Sequence, residues 1–247
     1  MFSLSTDSLT GYGLNRIFLF ARKAGYDGID LAIDPDYYDT HNVTYLKKLQ
    51  ERFEMPIIAM QAPQPSTKHG ILKTVEIAKD LGVKIVIIQP PRFFQLKLAA
   101  WMKHEIPLIR KRESISIALE NASGKTMLGI IPEYGMNNLN ELKNFKHVCL
   151  DTSKLFQKKT DIMRAYSRLK TFIVHIHLSN VKHNRGYQMP NDGVLPIESF
   201  LTKLKQDKFP GAISLKVRPA FLELGQDKKV IDHLVEAREF MQKYFGK

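Results

Sequence analysis

With 247 residues, 44% of them hydrophobic and 25% charged, the chain has enough apolar content for one sizeable core and too much to remain disordered. No apolar run approaches the roughly 18 residues of a membrane helix, the opening MFSLSTDSLTG lacks the basic and apolar regions of a secretory leader, and a single cysteine, Cys149, excludes an internal disulfide, so a cytoplasmic protein is expected. The 37 Lys and Arg against 25 Asp and Glu leave a formal charge of +12, which favours anionic ligands such as sugar phosphates, nucleic acid or a membrane surface without choosing among them.

The first β-rich run is Phe2–Ser5 (FSLS). The turn after it, STDSLTGYG, carries no GxGxxG, so no nucleotide cofactor is expected. Leu14, Ile17, Phe18, Ala21 and Ala24 then recur at the helical period, and Gly25 ends that helix before a second strand at Gly28–Ala32 (GIDLA). A third strand is read at Ile57–Gln61 (IIAMQ), followed by a helix on Ile71, Val75, Ala78 and Leu81 that stops at Gly82. Further strands are read at Lys84–Ile88 (KIVII), Ile115–Glu120 (ISIALE), His147–Asp151 (HVCLD), Ile173–Leu178 (IVHIHL) and Ala212–Val217 (AISLKV), each with a helical segment behind it. Eight such units at intervals of roughly 26 to 39 residues, with no linker or low-complexity tract between them, predict an α/β protein: a (β/α)8 TIM barrel forming a single domain over residues 1–247. Cys149 falls inside an apolar run and reads as a buried, inert thiol.

Barrels of this kind build their sites at the carboxyl ends of the strands, so ionisable residues there carry information that charges on helices do not. The fifth strand ends at Glu120, the sixth at Asp151, the seventh carries His175 and His177 on one face, and the eighth carries Lys216. Each is costly to bury alone, so convergence on one mouth predicts mutual compensation, either as closing ion pairs or as a site. His177, nearer the mouth, is the stronger functional candidate; His175 alone reads equally well as a satisfied core histidine. Gln61 and Gln89 end the third and fourth strands and could hold hydroxyl groups. Arg185 after the seventh strand and Arg218 after the eighth fall where such barrels often hold phosphate. Asp30 and Asp34 lie near the end of the second strand with no role to assign.

These segments resemble the xylose isomerase-like TIM barrels, a superfamily of sugar isomerases, sugar and sugar-phosphate epimerases, inosose dehydratases and endonuclease IV. The marks are AGYDGIDL, ALEN, CLDTS, HIHLSN and GVLPIESFLTKL running into GAISLKVRP, spread over nearly the whole chain. The resemblance implies a divalent metal (Mn, Mg or Zn) held by Glu120, Asp151 and His177, with a fourth ligand, usually glutamate, at the position of Lys216. A histidine usual three residues after the aspartate is here Lys154, and histidines usual on the third and fourth strands are Gln61 and Gln89. An ammonium in place of a carboxylate removes a ligand and adds repulsion worth about 4 kcal/mol at ~4 Å and an effective dielectric of 20. A weak or absent metal is therefore expected, with Lys216 standing in for it and bridging Glu120 and Asp151.

What the resemblance implies for function is a sugar or sugar-phosphate isomerase or epimerase working through an enediolate. Glu120 would be the base and Lys216 the electrophile, as an ammonium or a Schiff base, while Gln61, Gln89, Lys154, His175, Arg185 and Arg218 bind substrate. The alternative is a barrel that binds a sugar-like ligand without turnover. An endonuclease IV-like phosphodiesterase is remote, since Gln61, Gln89, Lys154 and Lys216 stand where its zinc ligands would be needed, so no nucleic-acid partner is expected. Tyr37, Tyr38, Phe93 and Phe94 could line a homo-oligomer contact or a pocket wall.

Overall fold

Strands that alternate large apolar residues with small or polar ones present two unlike faces, and closing the sheet on itself gives each face a separate interior. The computed structural model describes residues 1–246 and shows that closure. In chain order the elements are β1 (Phe2–Ser5), α1 (Leu14–Lys23), β2 (Gly28–Ala32), α2 (Val43–Phe53), β3 (Ile57–Gln61), α3 (Lys68–Leu81), β4 (Ile85–Ile88), α4 (Leu96–Glu113), β5 (Ser116–Glu120), β6 (Thr126–Met127), β7 (Ile131–Pro132), α5 (Leu139–Phe145), β8 (Val148–Asp151), α6 (Thr152–Gln157), α7 (Ile162–Leu169), β9 (Ile173–Leu178), β10 (Asn180–Lys182), β11 (Arg185–Gln188), α8 (Ile197–Gln206), β12 (Ala212–Leu215) and α9 (Asp227–Phe245). Eight of the strands form a closed barrel in the order β1-β12-β9-β8-β5-β4-β3-β2, every pair parallel.

All eight expected strands are present. The fourth, fifth and sixth begin one residue later than read, and the eighth stops at Leu215 rather than Val217. Lys216 nevertheless continues the ladder, its backbone N–H donating to the Leu178 carbonyl at 3.0 Å. The helix ends follow the expected chemistry: Gly25 and Gly82 take φ of +76° and +73°, the left-handed conformation that glycine adopts without penalty. Two antiparallel hairpins, β6–β7 and β10–β11, were not expected; both lie in the loops that follow strand carboxyl ends.

The alternation decides what lies where. Leu4, Leu31, Met60, Val86, Ile88, Ile117, Leu119, Leu150, Ile176, Leu178 and Leu215 join the helices in one apolar core. The opposite face packs the inside of the barrel, with Ala59, Ile87, Ala118 and Cys149 as a separate small cluster on one side. On the other side Ser3 and Ser214 share a hydrogen bond of 2.6 Å, and His175 Nε2 meets the Ser214 hydroxyl at 2.8 Å. Cys149 is fully buried, and burial pushes its thiol up to about 11, as expected of an inert cysteine. Among the described residues, no helix is long and apolar enough to cross a membrane.

Candidate functional site

The inward alternation brings the strand-end groups to one level. In register, Asp151 on β8 pairs with His177 on β9, His177 pairs with Ser214 on β12, and Ser5 on β1 pairs with Asp30 on β2. Asp30, Glu120, Asp151, His175 and His177 are fully buried, and Lys216 and Gln61 nearly so.

Glu120 is the hub. Its Oε2 accepts from the Lys154 ammonium at 2.6 Å and from Gln89 Nε2, and its Oε1 lies 2.5 Å from His177 Nδ1. Lys154 reaches it because Asp151 caps α6: the Asp151 carboxylate accepts from the Lys154 backbone N–H at 2.8 Å, which fixes that residue one turn above the strand end. Lys154 Nζ also donates to Gln89 Oε1 at 3.0 Å. Beyond His177, its Nε2 lies 2.9 Å from Asp30 Oδ2, out of hydrogen-bond alignment, and Asp30 Oδ1 and His175 Nδ1 have no hydrogen-bond partner. Gln61 Nε2 donates to both Asp30 and Ser5 at 3.0 Å.

Lys216 faces the interior but does not bridge Glu120 and Asp151. Its ammonium donates to Gln61 Oε1 at 2.5 Å and pairs with Asp7 Oδ2 at 2.9 Å. The cation that bonds Glu120 is Lys154. The remaining Asp151 oxygen accepts from the Tyr187 hydroxyl at 3.2 Å, a contact made possible by the β10–β11 hairpin, in which Tyr187 takes φ of +62°.

The charge states follow from these contacts. Burial by itself would raise Glu120, but the Lys154, Lys216 and His177 charges outweigh it and hold the carboxyl well below the usual range. Burial likewise opposes the low value of Asp30, where His177 and His175 prevail. Asp151 is pushed up by burial and by the Glu120 charge. Burial and the Lys216 charge disfavour a charged His177, yet Cys149 and the Glu120 and Asp30 carboxylates beside it hold its pKa well above the ordinary value, while burial lowers His175. Burial would also lower Lys216; Asp7, Glu120 and Asp151 raise it instead. Three buried carboxylates, Asp30, Glu120 and Asp151, thus meet three cations, Lys154, Lys216 and His177.

A divalent ion at the implied position finds a poor donor set. Both Glu120 oxygens are taken by an ammonium, an amide and an imidazole, and both Asp151 oxygens by a backbone N–H and a phenol. The groups whose ligand atoms do come together are Asp30 with His175 and His177, and Glu120 with Cys149 and His177; both share His177 and neither includes Asp151. A neutral thiol and a nearby ammonium are unsuited to Mn or Mg. At the Glu120 and Asp151 position the residues present do not fit the metal that the resemblance implies, whereas Asp30, His175 and His177 each keep a buried polar atom without a hydrogen-bond partner among the described residues.

A cleft of about 480 Å³, within the usual range for a small-molecule pocket, is lined by Gln89 and Lys154, the two side chains that bond Glu120 Oε2; Glu120 itself is buried behind them and does not line it. Gln64, Gln89, Tyr134, Lys154, Tyr187 and Arg218 are on its walls, drawn from segments after six different barrel strands. Of the expected substrate-binding residues, Gln89, Lys154 and Arg218 therefore reach the cleft. Gln61 and His175 are packed beneath it, and Arg185 is exposed on β11 and does not line it. A second cleft of about 600 Å³, beside Phe156, Asp161 and Leu195, is reached by none of the strand-end groups. Asp7 and Tyr187 were missed. Asp7 sits two residues past the end of β1 and could have been found by the strand-end argument; no sequence signal predicted the hairpin that delivers Tyr187.

Comparison with known proteins agrees with this architecture. A family model described as xylose isomerase-like TIM barrel matches residues 18–243. An uncharacterised protein of Mycobacterium tuberculosis is 21% identical over 272 residues, covering 96% of this chain and 95% of that one. Among solved structures, a D-tagatose 3-epimerase-like protein superposes with a TM-score of 0.74 at 18% identity, covering 98% of this chain and 96% of its own. D-psicose 3-epimerase from Clostridium cellulolyticum, solved with D-tagatose, gives 0.74 at 12% identity, covering 100% and 99%. Likeness at these identities shows a shared fold.

Proposed function

The chain belongs to the xylose isomerase-like TIM barrel family, and from that premise we propose that it moves a proton at the carbon beside a sugar carbonyl, an isomerase or epimerase reaction, with a lysine ammonium in the part that a metal plays in its relatives. The observation that carries this reading is the Lys154 ammonium, 2.6 Å from Glu120 and on the wall of the cleft, joining base and electrophile in one contact.

In the resting site Glu120 is a weak base, because burial is overridden by the Lys154 charge. A sugar carbonyl oxygen entering the cleft offers Lys154 a second acceptor. As the ammonium turns toward it, Glu120 loses its strongest stabiliser and becomes more basic just as the neighbouring C–H becomes more acidic. Glu120 takes the proton, and the ammonium holds the oxyanion of the enediolate. His177 stays on Glu120 Oε1 and fixes the carboxylate's orientation, with the Asp30 carboxylate 2.9 Å from its other ring nitrogen. This reading moves the electrophile from Lys216 to Lys154; Lys216 supports Gln61 and Asp7 instead.

Proton exchange tests it directly. A panel of ketoses and ketose phosphates incubated in heavy water with the protein should gain deuterium at the carbon beside the carbonyl, and Glu120→Gln should abolish the gain. The same saturation of Glu120 by three donors also favours a second reading, a ligand-binding barrel without turnover. Binding without deuterium incorporation by the unaltered protein would select it.

A further inference from the structure

We propose that Asp30, His175 and His177 form a metal site inside the barrel, beneath the cleft, that takes a borderline-soft divalent ion such as zinc and is separate from the Glu120 and Asp151 position that the resemblance implies.

The three residues are fully buried, and one ligand atom from each lies within 4.8 Å of the others. Each is held at one polar atom and free at the other. His177 Nδ1 meets Glu120 Oε1 at 2.5 Å, His175 Nε2 meets the Ser214 hydroxyl at 2.8 Å, and Asp30 Oδ2 accepts from Gln61 Nε2 at 3.0 Å. Their other atoms, His177 Nε2, His175 Nδ1 and Asp30 Oδ1, have no hydrogen-bond partner among the described residues. That is how metal-ligating histidines are held: one ring nitrogen bonds a carboxylate or hydroxyl, which aims the ring and leaves the lone pair of the other for the ion. Three buried polar atoms unpaired in one place are costly, and a shared ion removes that cost.

The spacing favours an ion over a water molecule. His177 Nε2 and Asp30 Oδ2 lie 2.9 Å apart without hydrogen-bond alignment. Ligand atoms at zinc distances of ~2.0–2.1 Å and tetrahedral angles are ~3.3–3.4 Å apart, whereas two groups bridged by a water ~2.8 Å from each are about 4.5 Å apart. Two imidazoles and one carboxylate suit zinc or cobalt better than Mg, which prefers oxygen alone. The charges agree. Four carboxylates, Asp7, Asp30, Glu120 and Asp151, face Lys154, Lys216 and a singly charged His177, and a divalent ion in place of the proton on that ring brings them into balance. None of the three ligands lines the cleft, so the ion acts on the barrel's stability and on the aim of His177 at Glu120, and Lys154 remains the cation on the cleft wall.

The test uses the intact chain, stripped with a chelator and then offered zinc, cobalt, manganese or magnesium chloride, both to the native protein and during refolding, because the site is closed to solvent. Zinc and cobalt should each bind as a single ion per chain, cobalt with the visible absorption of a nitrogen-and-oxygen site, and manganese and magnesium at least about tenfold more weakly. Zinc at a hundredfold excess over its Kd should raise the melting temperature by about 5–10 °C. Asp30→Asn and His175→Gln should each weaken zinc binding by at least about tenfold. Ser214→Ala, which removes only the hydroxyl that holds His175, should weaken it by about ten- to a hundredfold and decides the matter if the larger changes do not fold. Asp151→Asn should leave zinc affinity in place, since Asp151 is not among the ligands. No zinc uptake by either route, tighter binding of manganese or magnesium than of zinc, affinity unmoved by Asp30→Asn, His175→Gln and Ser214→Ala, or a loss in Asp151→Asn equal to that in Asp30→Asn would overturn the inference, the last by placing the ion where the resemblance implies.

Discussion

Replacing Lys154 by Met removes the ammonium from a fully buried carboxylate while keeping most of the side-chain volume. The gross attraction across 2.6 Å is about 6 kcal/mol at an effective dielectric of 20. Part of that offsets the cost of bringing a 13%-exposed ammonium out of water. Breaking one side of a buried pair typically costs about 3–5 kcal/mol because the remaining charge is left uncompensated. Glu120 keeps His177 and Gln89, so the low end applies, about 3 kcal/mol, or a fall in melting temperature of about 6–12 °C for a chain of this size.

The pH dependence has a definite sign. Glu120 is depressed in the fold, so its contribution is present above the ordinary carboxylate value of 4.5 and is lost as pH falls through its folded value. Lys154 is the largest of the charges that depress it, so Lys154→Met raises the folded value and shrinks that contribution. The difference between variant and parent should be full at neutral pH and should narrow in acid. Urea denaturation at a series of pH values measures it, and adding Glu120→Gln should recover about 1.5–3 kcal/mol relative to the sum of the single changes. A loss below about 1 kcal/mol, a loss that does not narrow in acid, or a strictly additive double variant would refute the assignment of Lys154 as the partner of Glu120.

Ring-nitrogen NMR should find His177 still protonated above pH 6.5, because Cys149 and its two carboxylate neighbours together outweigh burial; a neutral His177 at pH 6.5 would remove one of the three internal cations. Its contribution to stability is fully present below 6.5 and is lost as pH rises through its folded value. In the same spectra His147, lowered by burial and by Arg110, should stay neutral down to about 4. Cys149 should resist alkylation in the native protein at neutral pH and react only on unfolding, since its thiol is fully buried and pushed up to about 11; rapid native-state labelling would contradict its place inside the barrel.

Local pattern carried the architecture. The alternation in FSLS, ISIALE and IVHIHL, with glycines closing the intervening helices, is a property of neighbouring residues, and neighbouring residues suffice to place all eight strands and to say that Glu120, Asp151, His177 and Lys216 lie at one end of them. Pairing among those groups is not local. Lys216 reaches Asp7 and Gln61 because β12 closes against β1, and Lys154 reaches Glu120 because the Asp151 cap turns α6 over the barrel rim. Tyr187 and the two hairpins depend on loop conformations with positive φ at residues other than glycine, which leave no periodic trace. The chain's local pattern thus determined that Glu120, Asp151, His177 and Lys216 meet at the mouth, while the closure and stagger of the barrel added Asp7 and Tyr187 and decided which base each acid holds, since ångström-scale separations between distant segments govern the strength of every charge contact.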